Sequence, residues 1–308
     1  MHRTNLITSR TLDSMTGTSL FLKPENLQRT GAFKIRGALN AVLSLEAEKG
    51  QRGIITASSG NHGQAVALAG AITGYPATVI MPEDASPAKV DAVRGYGARV
   101  IFCGTSSRER IEMAEDLCLS KGLTFIHPFD DPLVMAGQGT IGLEIISDLP
   151  DVDNVLVPVG GGGLISGIAT AIKETDPKIR ITGVEPEQSN SMYLSIQAGE
   201  RQQLDNIVSI ADGLKTSIPG RNTFPVVQKY VDDIILVSEE EIRKAVLILL
   251  ERCKILVEPS GAVTVAALIS GRLSVKGLKS VCVLSGGNFS LPELGKVILT
   301  GKVKGGPE

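Results

Sequence analysis

Short β-branched runs alternate along the chain with longer stretches in which apolar positions recur at helical spacing. Ile54–Ala57, Ala77–Met81, Arg99–Phe102 and Thr124–Ile126 predict strands, with Pro82 closing the second. Asn61–Ala71, Ala88–Arg94 and Arg108–Leu119 predict the helices between them. A second series follows, with strands over Val155–Val159, Ile179–Val184, Ile234–Val237 and Ser280–Leu284 and helices over Leu164–Ile172 and Glu239–Leu256. Strands separated by helical crossovers pair in parallel, and a parallel sheet needs helices on its faces; the expected class is α/β. The polar stretch Gln188–Arg221 has weak periodicity and predicts a long surface excursion, a length at which loops tend to carry function. The tail Gly301–Glu308 is expected to fray.

Composition narrows the function. With 308 residues, about two domains and a core that needs no staple are expected. Lys and Arg total 31 against 33 Asp and Glu, so no general electrostatic grip on nucleic acid is expected. No apolar run approaches the roughly 20 residues of a membrane span, and MHRTNLITSR lacks the apolar stretch of a signal peptide. Cys103, Cys118, Cys253 and Cys282 lie far apart without CxxC spacing, which predicts reduced thiols in a cytoplasmic protein. Three histidines and no thiol cluster argue against a zinc site. The 34 glycines gather at the ends of apolar runs, as in α/β proteins whose backbone amides approach an anion.

The strongest single motif is Gly160-Gly161-Gly162-Gly163, between the strand VLVPV and the helix LISGIATAI. Unpaired amides at a helix N-terminus carry partial positive charge, and glycines let a phosphate reach them. A plain tight turn would need fewer glycines. Ile165 and Ser166 break a GxGxxG reading, and no P-loop is present, which weakens a nicotinamide or nucleotide enzyme. Ser58-Ser59-Gly60-Asn61-His62-Gly63 likewise joins a strand to a helix; it is either an ordinary N-cap or a carboxylate site. Lys34, among small and apolar residues, is either a snorkelling surface lysine or a desolvated nucleophile. Ser285-Gly286-Gly287-Asn288 ends a strand and reads alone as a turn; His62 and His127 read as structural histidines.

Taken together, these stretches resemble the fold-type-II pyridoxal-phosphate enzymes, the threonine/serine dehydratase and serine racemase group. The resemblance is carried by Lys23-Pro24-Glu25-Asn26-Leu27-Gln28, Thr30 to Gly37, Ser58 to Gly63, Gly160 to Gly163, Ala211-Asp212-Gly213, Glu258-Pro259-Ser260-Gly261 and Ser285 to Asn288, in family order across nearly the whole chain. It implies a two-lobed, tryptophan-synthase-β-like fold with parallel-rich sheets. Residues 1–52 plus 131–308 would form a large cofactor-binding domain, and 53–130 a small mobile one. It also implies a homodimer.

By the same resemblance, Lys34 is the Schiff-base lysine and the base at Cα, with Phe33 packed beside the cofactor. Asn61 bonds the pyridine 3′-oxygen, Gly160 to Gly163 hold the phosphate, Glu258 lies at the cofactor, and Ser285 faces the pyridine nitrogen. Ser58, Ser59, Asn61, His62 and Arg108 face the substrate. The implied reaction is removal of the α-proton and β-hydroxyl of L-threonine or L-serine, giving a 2-oxo acid and ammonia; the cofactor phosphate is the implied proton donor to the leaving hydroxyl. A neutral hydroxyl at the ring nitrogen favours prompt elimination. Serine racemization and hydroxyaspartate dehydration are alternatives, with Ser59 the implied opposite-face acid of a racemase. The lysine comes early, so the usual N-terminal helix is expected to be short or missing. The chain ends soon after SGGN, so a C-terminal regulatory domain and isoleucine feedback through it are not expected. The racemase-like magnesium or calcium site pairs a Glu with an acidic residue six positions on; here Glu185 is followed by Ser191, which leaves the metal unassigned.

Overall fold

The computed structural model describes residues 1–58 and 60–300, apart from the side chains of Ser107 and Arg108. Its strands are β1 (Ile7–Thr8), β2 (Ser19–Pro24), β3 (Ile54–Ala57), β4 (Ala77–Met81), β5 (Arg99–Phe102), β6 (Thr124–Phe125), β7 (Asn154–Pro158), β8 (Arg180–Pro186), β9 (Asp233–Val237) and β10 (Lys279–Leu284). Its first helices are α1 (Arg10–Thr16), α2 (Lys34–Leu43), α3 (Ala47–Arg52), α4 (Asn61–Thr73), α5 (Pro87–Gly95), α6 (Ser107–Lys121) and α7 (Pro132–Asp148). The others are α8 (Gly163–Lys173), α9 (Ser191–Ala198), α10 (Thr223–Tyr230), α11 (Glu239–Ile248), α12 (Pro259–Ile269) and α13 (Leu291–Thr300).

The strands form two sheets. A six-stranded sheet runs β1-β2-β10-β7-β8-β9, parallel except for β1, and a four-stranded sheet runs β5-β4-β3-β6, all parallel. The expected α/β class with parallel-rich sheets is present.

Alternation along the central strands sorts side chains to the two faces of the larger sheet. Val155 and Val157 of β7, with Val281 and Val283 of β10, pack with Ile165, Ile168 and Ile172 of α8 and with Ile141 and Ile145 of α7. Leu156, Cys282 and Leu284 point the other way, onto Ala262, Val263 and Ala266 of α12 and Ala245 of α11. Each such apolar side chain contributes about 1.5–3 kcal/mol on burial. Among the described residues no helix is long and apolar enough to cross a membrane.

Two sequence expectations need correction. The helix from Glu239 does not reach Leu256: it passes into a π-turn over Leu249–Cys253 and stops at Lys254, which takes the left-handed conformation with φ 60°. The apolar residues Ile255, Leu256 and Val257 belong to the extended approach to Glu258, so apolar character alone overran the helix. The stretch 188–221 is not wholly a surface excursion either. It contains α9, with Met192 and Ser195 buried, and Ala211 and Leu214 are buried further on. The start of α9 is capped from outside its own segment: the buried Glu185 carboxylate accepts from the Met192 and Tyr193 amides at 3.1 and 2.7 Å. Local periodicity cannot register such a cap. Gly301–Glu308 lie outside the described residues.

Candidate active site

Three strands, β3 from the smaller sheet and β7 and β10 from the larger, deliver their carboxyl ends to one cavity of about 520 Å³. This is where open parallel sheets place ligands. From β3 the chain passes through Ser58 to the start of α4, from β7 through the glycine turn to α8, and from β10 into Ser285. Phe33, Lys34, Ser58, Asn61, His62, Gly160 to Gly163, Glu258 and Ser285 all line that cavity.

The first turn of α2 aims Lys34. The Phe33 amide donates to the Ser285 carbonyl at 3.0 Å, and Ala32 bridges Gly286, so the entry to α2 is stitched to the end of β10. Lys34 Nζ donates to the Pro128 carbonyl at 2.8 Å and lies 5.1 Å from the centre of the Phe33 ring. Lys34 as a whole is half-buried and lines the cavity. Desolvation pulls its pKa down to about 8, with Glu258 opposing.

The glycine turn has a cradle's geometry. Gly162 has φ +95°, open to glycine at little cost, and caps an eleven-residue helix without any side-chain cap. A Cβ on Gly163 would lie 2.8 Å from Phe129 atoms, so the amides stay bare and closely approachable. Phe129 itself is held by a turn in which His127 Nδ1 accepts the amides of Phe129 and Asp130 at 3.2 and 2.7 Å. An acceptor Nδ1 puts the proton of the neutral ring on Nε2. Burial lowers the His127 pKa further.

Asn61 Nδ2 donates to Glu258 Oε1 at 2.8 Å, and its Oδ1 accepts from Asn288 Nδ2 at 2.7 Å. Burial pushes the Glu258 carboxyl up to about 7, against the Asn61 bond and Lys89. Ser285 is buried, with Oγ 3.4 Å from the Ser260 carbonyl. His62 is buried with Nε2 2.9 Å from the Ile126 carbonyl; desolvation and then Lys34 take its pKa to about 3, so it is a neutral wall residue. Ser58 Oγ accepts from the Gly60 amide at 3.2 Å.

Ser59 lies outside the described residues, as does the side chain of Arg108. Arg110 of the same helix lines the cavity, is 7% exposed, and donates to the Thr105 carbonyl at 3.2 Å. Sequence reasoning missed Arg110, His127 as a cavity residue, and Asp130. The Asp130 carboxylate accepts from the amides of Arg221, Asn222 and Thr223, at 2.8, 2.8 and 3.3 Å. Only the capping box of Ser106 and Glu109, which fixes where α6 begins, offered a signal for Arg110.

A half-buried lysine of lowered pKa, a bare-amide turn at a helix N-terminus, an amide donor and a hydroxyl around one cavity fit an aldehyde that carries a phosphate and a heteroaromatic ring. The sequence agrees with that fit. A profile of the pyridoxal-phosphate dependent enzymes matches residues 1–286. An L-threonine ammonia-lyase of Geobacter sulfurreducens is 51% identical over 306 residues, 99% of this chain and 76% of that protein. The processed form of threonine deaminase isoform 2 from Solanum lycopersicum superposes with a TM-score of 0.93 at 39% identity, covering 97% of this chain and 83% of that one. Maize serine racemase superposes with a TM-score of 0.92 at 38% identity, covering 97% and 92%. The chain is a member of the pyridoxal-phosphate dependent enzymes and carries their fold-type-II architecture.

Proposed function

We propose that this protein is a dehydratase (ammonia-lyase) that converts L-threonine, L-serine or both to the 2-oxo acid and ammonia. The observation that carries the reading is Lys34: an amine of lowered pKa, held on the Pro128 carbonyl in the cavity that the glycine turn also lines. The similarity to proteins named L-threonine ammonia-lyase, at 51% and 48% identity over 99% of the chain, supports the substrate class.

Pyridoxal phosphate supplies an electrophilic carbonyl and a conjugated ring that takes up the electron pair left at Cα. Lys34 would hold it through its side-chain amine, and the same amine is the base placed to remove the α-proton of a bound amino acid. The amides of Gly160 to Gly163 would hold the phosphate at the positive end of α8. Asn61, held by Glu258, would face the ring oxygen, and Phe33 would pack beside the ring. Ser285 would face the ring nitrogen. A neutral hydroxyl there would not stabilise the full positive charge that a carboxylate would, which favours loss of the β-hydroxyl. Ser58, Asn61 and His62 would border the substrate carboxylate; Ser59 and Arg108 are assigned to the substrate by the family resemblance alone. Residues 53–130 act as the mobile unit that closes to exclude water, against a large unit of 1–52 plus 131–308. The working form is a cytoplasmic homodimer.

Purified protein given L-threonine or L-serine in separate reactions tests this reading. Stoichiometric 2-oxo acid and ammonia with little D-enantiomer are expected. Predominant D-serine would replace the dehydratase with a racemase and make Ser59 the opposite-face acid; no product from either amino acid would remove both.

A further inference from the structure

The cavity holds a chain of side-chain amides whose orientation is dictated from one end. The Thr30 carbonyl can only accept, and Asn288 Nδ2 lies 2.6 Å from it. That fixes which way the Asn288 amide points. The same Nδ2 lies 2.7 Å from Asn61, so both N–H groups of Asn288 are engaged and the Asn61 atom facing it must be the oxygen. Asn61 then turns Nδ2 to Glu258 Oε1, 2.8 Å away, with one N–H, and keeps a second N–H for the cavity.

We propose that Asn288 is a positioning residue that locks the Asn61 amide so that Asn61 can only donate to the ring oxygen of the bound cofactor. The inference rests on the functional reading above. The anchor is backbone, so it does not change with pH. Glu258 alone could not provide the lock, because a protonated carboxyl can donate to the Asn61 oxygen as readily as a carboxylate accepts from its nitrogen.

The same contact restrains the approach to Lys34. Thr30 is β-branched yet sits at φ 62°, ψ 10°, a region such residues rarely enter. Asn288 on the Thr30 carbonyl and the Gly287 amide on the Gly31 carbonyl, at 2.9 Å, hold that bend. Gly31 has φ +69°, and a Cβ there would run into the Asn288 side chain. One side chain thus ties the segment that leads to Lys34, at the entry of α2, to the residue at the start of α4.

The test is the visible absorption of the holoenzyme as a function of pH. In the wild type, the Asn61 donor stays in place and the band holds its position on either side of pH 7. In Asn288→Ala, the Asn61 orientation follows the protonation of Glu258, and a new spectral transition is expected near pH 7, where that carboxyl titrates. Glu258 is faced by Lys34, Lys89 and Asp212 as well as by Asn61, and these set where the transition falls. Adding Glu258→Gln to Asn288→Ala removes the titrating group and should flatten the band again.

Thermal melting checks folding. If the alanine variant fails to fold or load, Asn288→Ser is read in the same way, since a hydroxyl both donates and accepts and imposes no direction. A folded, loaded variant whose band is as flat as the wild type overturns the proposal. So does a wild type that already shows the transition, or failure of both variants to fold or to load. A wild type in which Lys34 forms no borohydride-reducible adduct with pyridoxal phosphate overturns the functional reading instead.

Discussion

Lys34 and Arg36 stand two residues apart on the first turn of α2, both cationic, and their surroundings treat them in opposite ways. Arg36 is 1% exposed and wholly matched. Its guanidinium meets Glu25 through Nε and Nη2 at 2.7 and 2.8 Å, and Glu144 through Nη1 and Nη2 at 2.6 and 3.0 Å. Lys23, fully buried, closes the cluster on Glu144 at 2.7 Å. Burial alone would lower the Arg36 pKa; the hydrogen bonds to the two carboxylates more than reverse it and hold it above its ordinary value. Lys34 meets a neutral carbonyl and an aromatic ring, and desolvation wins. The difference lies in partners: Arg36 is the deeper of the two, yet it keeps its charge because carboxylates surround it. A matched charge is fixed and inert, whereas a charge denied its counter-ion becomes an amine that can react. Arg36 also anchors the helix turn that aims Lys34, so the inert charge positions the reactive one.

Removing the reactive charge should leave the fold and destroy the chemistry. Lys34→Ala is expected to abolish borohydride-reducible cofactor and lower kcat by about 10⁴-fold or more, with an unchanged or slightly higher melting temperature, because a poorly compensated buried group is gone. Removing the inert charge should do the reverse. Arg36→Met leaves Glu25 and Glu144 facing each other without their cation and is expected to cost about 3–5 kcal/mol in urea unfolding, while the folded fraction still loads cofactor. Equal losses of activity and stability in both variants would erase the distinction.

That distinction was only half legible in the sequence. TGAFKIRG singled out Lys34, and the glycine run and the strand-to-helix breaks told where the cavity forms, because turn chemistry is local. The partners of Arg36 were not legible: Glu25 and Glu144 come from distant segments, and nothing local to either pairs it with α2. The same holds for Asp130 on the 221–223 amides, and for Pro128, whose contribution is a backbone carbonyl. Helices α7 and α12 gave no clear period because they carry little polar surface; every residue of α12 from Pro259 to Leu268 is buried, which erases the face-to-face contrast on which helical periodicity depends. The strands of the smaller sheet were read almost to the residue because Pro and Gly punctuate them.

The gentlest way to sharpen the comparison is pH. Capture of pyridoxal phosphate by cofactor-stripped protein needs the neutral Lys34 amine. The loading rate should therefore rise about tenfold per unit up to a midpoint near pH 8 and level off above it. A free lysine at its ordinary 10.5 would show no plateau in that range. Linkage gives a second reading of the same group. Folded Lys34 binds its proton less tightly than the unfolded chain does, so between pH 8 and 10.5 the unfolded state carries more protons and the fold gains stability as pH rises. Below pH 8 the cost of burying the charge is fully present. Urea midpoints of the stripped wild type, measured against Lys34→Ala across that window, should converge as pH rises. Parallel curves would mean that Lys34 titrates as an exposed lysine, and the contrast with Arg36 would then rest on partners that do not perturb either charge.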